Sequence, residues 1–518
     1  MYSRVSLIFF VACSLPLAAA AADCAGLTKL NLPDTTISGA VDVPAGDFIP
    51  PQGQPIKNLP AFCRVSGVMK PSSDSNIPFE VWMPATGWNG KFQGIGNGGY
   101  AGSIGWGALG LAISKGYASA ATDTGHSAEG TNAGWALGHP QKIVDFGYRA
   151  IHETAIKGKA IVTAFYGDGP KRAYFNSCSN GGRQALMEAE RYPDDYHGII
   201  AGAPAYHWTH LLTSSVWNAQ ALFAEAASYI PASKLPALEA ATLAACDSLD
   251  GVKDGVIDDP TRCHFDPSKL LCSGADSASC LTAPQVAALA KIYSGPRNSK
   301  GASVFPGYSV GGETGNGGWA SWTVGAAPTK SLGYAFGTQF FINMVYENPA
   351  WDFKTFHVDR DMKAADEKLA KVLNATDADL RPFQVRGGKL ILYHGWSDAA
   401  IPPVDTIEYY KAVSEKLGPK AVDAFVRLYM VPGMQHCGGG PGPNSFGTGS
   451  VAAGDAQHDV AKALEHWVED GVAPDQIIAT KKSNGSVVRT RPLCPYPQTA
   501  HWKGTGSTDD AANFTCSK

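Results

Sequence analysis

Two cysteines sit against two residues with catalytic chemistry: Cys178 directly precedes Ser179, and Cys437 directly follows His436. A nucleophilic serine and the histidine that takes its proton must lie within hydrogen-bond reach, roughly 3 Å. If Ser179 and His436 are such a pair, the adjoining thiols come close enough to bond, which needs Cα atoms about 5–6 Å apart. A chain that obeys both conditions must fold so that its middle and its C-terminal part meet at one point. That arrangement points to a serine hydrolase.

The stretches around these pairs alternate in character. Residues 79–83 and 91–94 read as strands with a turn at Trp88-Asn-Gly90, and residues 94–102 form a glycine-rich loop. Residues 117–123, 172–176 and 197–203 read as further strands, and residues 145–165 and 181–191 as helices. Such alternation belongs to the α/β class, with a parallel sheet covered by helices on both faces. The rhythm stops near Tyr206 and resumes at the apolar strand 388–395, followed by a strand at 425–430 and a helix at 455–470. At 518 residues the chain is long for one compact core. The simplest architecture is one α/β domain built from residues 23–205 and 381–518, with residues 206–380 inserted as a lid.

Residues 1–22 read as an export signal: Arg4 supplies the positive start, residues 5–17 the apolar stretch, and residues 18–22 small-residue cleavage sites. This implies a secreted or periplasmic protein. Of eleven cysteines, Cys13 lies in that segment, which leaves an even number for an oxidising compartment. By position they group as Cys24 with Cys63, Cys246 with Cys263, Cys272 with Cys280, Cys494 with Cys516, and Cys178 with Cys437, although sequence alone leaves the pairing open. The net charge of −4, without a basic stripe, argues against nucleic acid or anionic membranes as partners. Nothing in the sequence reports on oligomeric state.

Ser177-Cys-Ser-Asn-Gly-Gly182 falls between a strand and a helix, the setting of a nucleophile elbow, G-x-S-x-G, with Ser177 in place of the first glycine. The strand at 388–395 leads to Asp398, and the strand at 425–430 leads to His436. The order Ser179, Asp398, His436 is that of α/β-hydrolases. His436 would take the serine proton and return it to the leaving alcohol, while Asp398 would orient the ring and stabilise its charged form. An oxyanion hole needs two backbone N–H groups. Asn180 should offer one, and Gly98 or Gly99 of the glycine-rich loop the other.

With these residues in view, Cys178-Ser179, Asp398 and His436-Cys437 resemble the paired-cysteine serine–aspartate–histidine motif of the tannase and feruloyl esterase family. The similarity runs along nearly the whole mature chain, including Trp88-Asn-Gly90 and the tail Arg491-Pro-Leu-Cys-Pro-Tyr-Pro497. The resemblance implies an α/β-hydrolase core with a large lid, a carboxylic ester hydrolase (EC 3.1.1), and no organic cofactor. It implies small aromatic esters as substrates, hydroxycinnamates first and gallates second, as found in plant cell walls and tannins. The family also contains hydrolases of mono(2-hydroxyethyl) terephthalate. A reading of another class stays open: a binding protein that kept the fold and lost the chemistry.

Residues 247–258 space carboxylates with glycines, as oxygen-ligated Ca²⁺ loops do, outside the twelve-residue EF-hand pattern. By resemblance, Asp247, Asp250 and Asp254 would bind a structural Ca²⁺ through carboxylates, and Val252 and Val256 through carbonyls, with a Cys246–Cys263 bridge closing the loop. Trp319, Trp322, Tyr334, Phe336, Phe340 and Phe341 crowd the end of the lid and could hold a planar acyl group or serve as core. Where terephthalate-ester hydrolases of the family carry an arginine, the matching stretch here offers Lys330, close to Tyr334. A position past the acid that can be aromatic in those enzymes is Ile401. Lysine does not replace a bidentate fork, so both departures lower the expectation of terephthalate chemistry.

Overall fold

The computed structural model describes residues 23–448 and 454–518, so the export segment lies outside the described residues. Its centre is a nine-stranded sheet: β1 (Thr35–Val43), β2 (Phe62–Met69), β3 (Ile77–Pro84), β4 (Lys91–Ile95), β5 (Ala118–Thr122), β6 (Arg172–Cys178), β7 (Gly198–Gly202), β8 (Lys389–Gly395) and β9 (Val426–Val431). The strand order is 1-2-3-5-4-6-7-8-9. From β5 to β9 every pairing is parallel, whereas β1, β2, β3 and β5 pair antiparallel. The sheet is therefore mixed, not wholly parallel as the alternation suggests. The reason is the connection between Met69 and Ile77, which is too short for the crossover of a dozen residues that a parallel pair needs.

Strands β7 and β9 are buried along their whole length, which explains why they read as unbroken apolar runs. Helices α1 (Trp106–Ser114), α2 (Ala150–Tyr166), α3 (Asn180–Arg191), α4 (Trp208–Phe223), α5 (Leu332–Phe340), α6 (Pro403–Leu417) and α7 (Val460–Asp470) surround the sheet and build the insertion. Ala155 and Ile161 of α2, Leu186 of α3 and Val413 of α6 join the core on one face. Leu109 of α1 and Leu464 and Trp467 of α7 join the core on the other.

The chain between β7 and β8 adds no strand to this sheet. Its helices close around a second apolar core that includes Leu211, Val216, Phe340 and Met344. Tyr100, Ala133 and Phe146, which precede the insertion, belong to that same core. Among the described residues, five disulfides tie the chain: Cys24–Cys63, Cys178–Cys437, Cys246–Cys263, Cys272–Cys280 and Cys494–Cys516. Four span 8 to 39 residues, and Cys178–Cys437 spans 259. Among the described residues, no helix is long and apolar enough to cross a membrane.

Candidate active site

The end of β6 turns sharply into α3, and the turn residue is Ser179. Its φ of +67° and ψ of −127° are values an L-residue adopts only under strain. The neighbours hold it there: the Ser179 N–H donates to the Gly202 carbonyl at 2.9 Å, and the Ser179 carbonyl accepts from Ala205 N–H at 3.1 Å. A Cβ on Gly182 would stand 2.4 Å from the Gly202 oxygen, so only glycine lets α3 pack this tightly onto β7.

His436 lies on the loop after β9, and Asp398 on the loop after β8. His436 Nε2 is 2.9 Å from Ser179 Oγ, and His436 Nδ1 is 2.8 Å from Asp398 Oδ2. Asp398 Oδ1 accepts from the N–H groups of Ala400 (2.7 Å) and Ile401 (2.9 Å). A second histidine, His394, reaches Asp398 Oδ2 at 3.1 Å through Nε2, and its Nδ1 meets Thr406 Oγ1 at 2.7 Å. Sequence reasoning missed His394, because a buried strand residue carries no motif. Burial alone would push the Asp398 carboxyl up, but His436 and His394 together reverse this and hold it well below the usual carboxylate range. Ionised Asp398 therefore stabilises the fold above the ordinary carboxylate pKa, and that contribution disappears as pH falls through its depressed value. Cys178 and Cys437 bridge beside the pair with Cα atoms 6.0 Å apart.

Asn180 is the first residue of α3, where a helix leaves its N–H without an internal acceptor. Across the site stands Gly99, at φ +53°, where a Cβ would meet the Gly130 oxygen at 2.3 Å. The Gly99 N–H has no acceptor among the described residues. Gln184 of α3 pins this loop, since its Oε1 accepts from Asn97 N–H at 2.9 Å and its Nε2 donates to Asn97 Oδ1 at 3.2 Å.

A slot opens from this point between two walls. Trp208, Leu211, Leu212 and Ser215 of α4 form one, and Trp322, Gly333 and Phe336 the other, with Ala400 and Ile401 at the edge. The Trp322 and Phe336 rings stack at 6.0 Å, and Trp322 meets the His436 ring edge-on at 5.1 Å. Tyr100 Oη donates to the Phe336 carbonyl at 2.8 Å, which couples the glycine-rich loop to α5. Of the residues considered from sequence for this pocket, Trp322, Phe336 and Ile401 line the slot. Lys330 is exposed and away from it, and Tyr334 packs instead against Phe223 and Phe353. The i, i+3, i+4, i+7 spacing of Trp208, Leu211, Leu212 and Ser215 was available in the sequence, but only the placement of α4 over Ser179 shows that this face lines the site.

These positions yield a test. Phe336→Ala is expected to lower kcat/KM on an aromatic ester about tenfold, the scale of one lost aromatic contact, while Lys330→Ala stays within twofold. Steady-state kinetics on methyl ferulate would contradict the placement if the two variants exchanged behaviour.

The acidic loop offers oxygen donors. Asp250 Oδ2 is buried without a partner, and the carbonyls of Val252 and Val256 accept no hydrogen bond among the described residues. Asp247 accepts from the N–H groups of Asp254 and Gly255, and Asp254 pairs with Arg491 at 2.5 Å and Arg489 at 3.1 Å. The donors are all oxygens, the kind a Ca²⁺-type ion takes, while Asp254 is already paired with the two arginines. Among the described residues, the carboxylates of Asp247, Asp250 and Asp254 do not converge on one point; the groups that do are His152, Glu188 and Asp195, and Cys272, Asp276 and Cys280. The thiols of the second are consumed by their disulfide.

The model of the tannase and feruloyl esterase family matches residues 63–517. The chain belongs to the tannase and feruloyl esterase family. It is, accordingly, a carboxylic ester hydrolase with the α/β-hydrolase fold. It is 47% identical to an uncharacterised esterase of Xanthomonas campestris, over 97% of this chain and 92% of that protein. It is 36% identical to the mono(2-hydroxyethyl) terephthalate hydrolase of Piscinibacter sakaiensis, over 88% and 85% of the two chains. The crystal structure of feruloyl esterase B from Aspergillus oryzae superposes with a TM-score of 0.88 at 31% identity, covering 95% of this chain and 99% of that one.

Proposed function

We propose that this family member cleaves esters of aromatic acids through an acyl-enzyme on Ser179, with hydroxycinnamate esters as its preferred class. The observation that carries the reading is the unbroken chain Ser179–His436–Asp398, at 2.9 and 2.8 Å, opening into an aromatic slot. Ser179 Oγ attacks the ester carbonyl carbon while His436 Nε2 takes its proton. The N–H groups of Asn180 and Gly99 receive the oxyanion. Collapse expels the alcohol, to which His436 returns the proton. A water molecule then attacks the acyl carbon with His436 as base, which releases the acid and restores Ser179. Residues 206–380 act as the lid that keeps bulk water from this chemistry.

Substrate choice follows from the walls. Among the described residues, the slot holds no Lys or Arg to meet a second carboxylate, which favours a neutral acyl group over a terephthalate monoester. Gallate esters are the second reading, supported by family membership alone. Initial rates on methyl ferulate, methyl gallate and mono(2-hydroxyethyl) terephthalate decide: ferulate is expected fastest. A tenfold lead for either competitor would overturn the substrate order, and failure to cleave any of the three would overturn the hydrolase reading.

Asp247, Asp250 and Asp254, with the carbonyls of Val252 and Val256, would hold a structural Ca²⁺, whose charge offsets the crowded carboxylates. Chelation of the holoprotein is expected to lower the melting temperature by several degrees, while kcat measured well below the melt survives. Loss of activity with an unchanged melt would contradict a structural role. The disulfides fit delivery to an oxidising compartment, outside the cell or in a periplasm.

A further inference from the structure

One turn beyond Ser179, α3 carries a cation with no counter-ion. Arg183 is fully buried, yet every oxygen that accepts from it is neutral. Its Nε donates to Asn180 Oδ1 at 2.9 Å, Nη1 to the carbonyls of Gly147 (2.8 Å) and Leu373 (3.2 Å), and Nη2 to the Phe146 carbonyl (3.1 Å). The faces of Phe146 and Trp208 lie 4.7 and 5.1 Å from the guanidinium carbon. Among the described residues no carboxylate forms an ion pair with it. Phe146 and Gly147 belong to the π turn Asp145–Arg149 ahead of α2, a local widening of the kind found at functional sites.

A buried, unpaired charge is costly, and a neutral residue of similar shape would serve packing at lower cost. The field of such a charge also reaches far in a low-dielectric interior. A negative charge develops beside Asn180 during reaction, on the oxygen received by its N–H, and Arg183 holds the side chain of that same residue. We propose that Arg183 is a positioning residue for the oxyanion: it fixes Asn180, and its charge is balanced by the transition state. This rests on the reading of Asn180 as an oxyanion donor. Preorganised charge aimed at a developing anion strengthens binding of the transition state more than of the ground state.

The test compares an anionic mimic with a neutral one. An arylboronic acid forms a bond from Ser179 Oγ to boron as the serine proton passes to His436, leaving a tetrahedral boronate anion. Ferulamide occupies the slot uncharged. Arg183→Met is expected to lower kcat 10- to 100-fold and weaken the boronate by a similar factor, with ferulamide affinity within twofold. Arg183→Lys, which keeps the charge, is expected to recover at least threefold of the lost kcat. Unchanged boronate affinity, or equal loss of both ligands in both variants, would overturn the proposal and leave Arg183 a cross-link. Should Arg183→Met fail to fold, Asn180→Asp supplies the missing counter-ion in the same volume. Its melt should not fall, while kcat and boronate affinity drop at least tenfold; wild-type kcat there overturns the proposal. None of these results touches the loss of hydrolysis on removing the Ser179 hydroxyl, so the proposed function is judged separately.

Discussion

Ser179→Ala is expected to lower kcat by about 10⁴-fold or more, with the melting temperature shifted by no more than a degree or two. The size follows from what remains. Without the hydroxyl no acyl-enzyme forms, and only the oxyanion donors and substrate binding still accelerate attack by water. The stability forecast follows from the backbone. Alanine at φ +67° is as strained as serine, so nothing is relieved, and the lost bond to His436 lies near solvent. Ser179→Gly makes the contrast. Glycine tolerates positive φ, so this variant should be equally inactive yet melt higher than Ser179→Ala, in keeping with strain of about 1 kcal/mol or more at the elbow. Paired activity and thermal-melt measurements check both statements. His436→Ala should match Ser179→Ala in rate, and the double variant should add little, because the two residues act as one unit.

Removing the Cys178–Cys437 bridge, as Cys178→Ala with Cys437→Ala, is expected to have the second largest effect, on stability and rate together. The loop it closes spans 259 residues, for which the chain-entropy relation gives on the order of 5 kcal/mol of stabilisation, an upper figure for real proteins. The bridge also holds Cys437 at φ +61°, a conformation a non-glycine residue leaves when free to do so. Relaxation there moves His436, its neighbour, and a displacement of about 1 Å at the base costs on the order of 10² in kcat. The control is the Cys272→Ala, Cys280→Ala pair. That bridge spans 8 residues and lies in the insertion, so kcat should stay within twofold. Denaturant titration and kcat on one ester measure both arms. Equal kinetic loss in the two double variants would contradict a specific clamp at His436.

The uneven legibility of this chain has physical causes. Buried parallel strands such as Gly198–Gly202 and Val426–Val431 are apolar on both faces and stand out from their flanks. Ser179, Asp398 and His436 were nameable because each follows such a strand at a carboxyl edge, where loops carry chemistry. The antiparallel start of the sheet was less visible: Thr35–Val43 is mostly exposed or half-buried, and shows only a weak alternation. Slot residues were hardest. Trp208, Leu211 and Leu212 look like core in the sequence, and most large apolar residues are core; what distinguishes them is a tertiary fact, the docking of α4 over the elbow. His394 and Arg183 are silent for a related reason, since each acts through a neighbour, Asp398 or Asn180, and not through any sequence pattern of its own.

The central claim, a covalent acyl group on Ser179 delivered through His436, is tested most directly by rapid quenching during turnover of a chromogenic aromatic ester, followed by peptide mass spectrometry. The account requires a burst of alcohol close to one equivalent per enzyme and the acyl mass on the peptide bearing Ser179, with both absent in Ser179→Ala. An acyl group on any other residue, or steady hydrolysis with no burst and no adduct under conditions where deacylation is slowed, would contradict it.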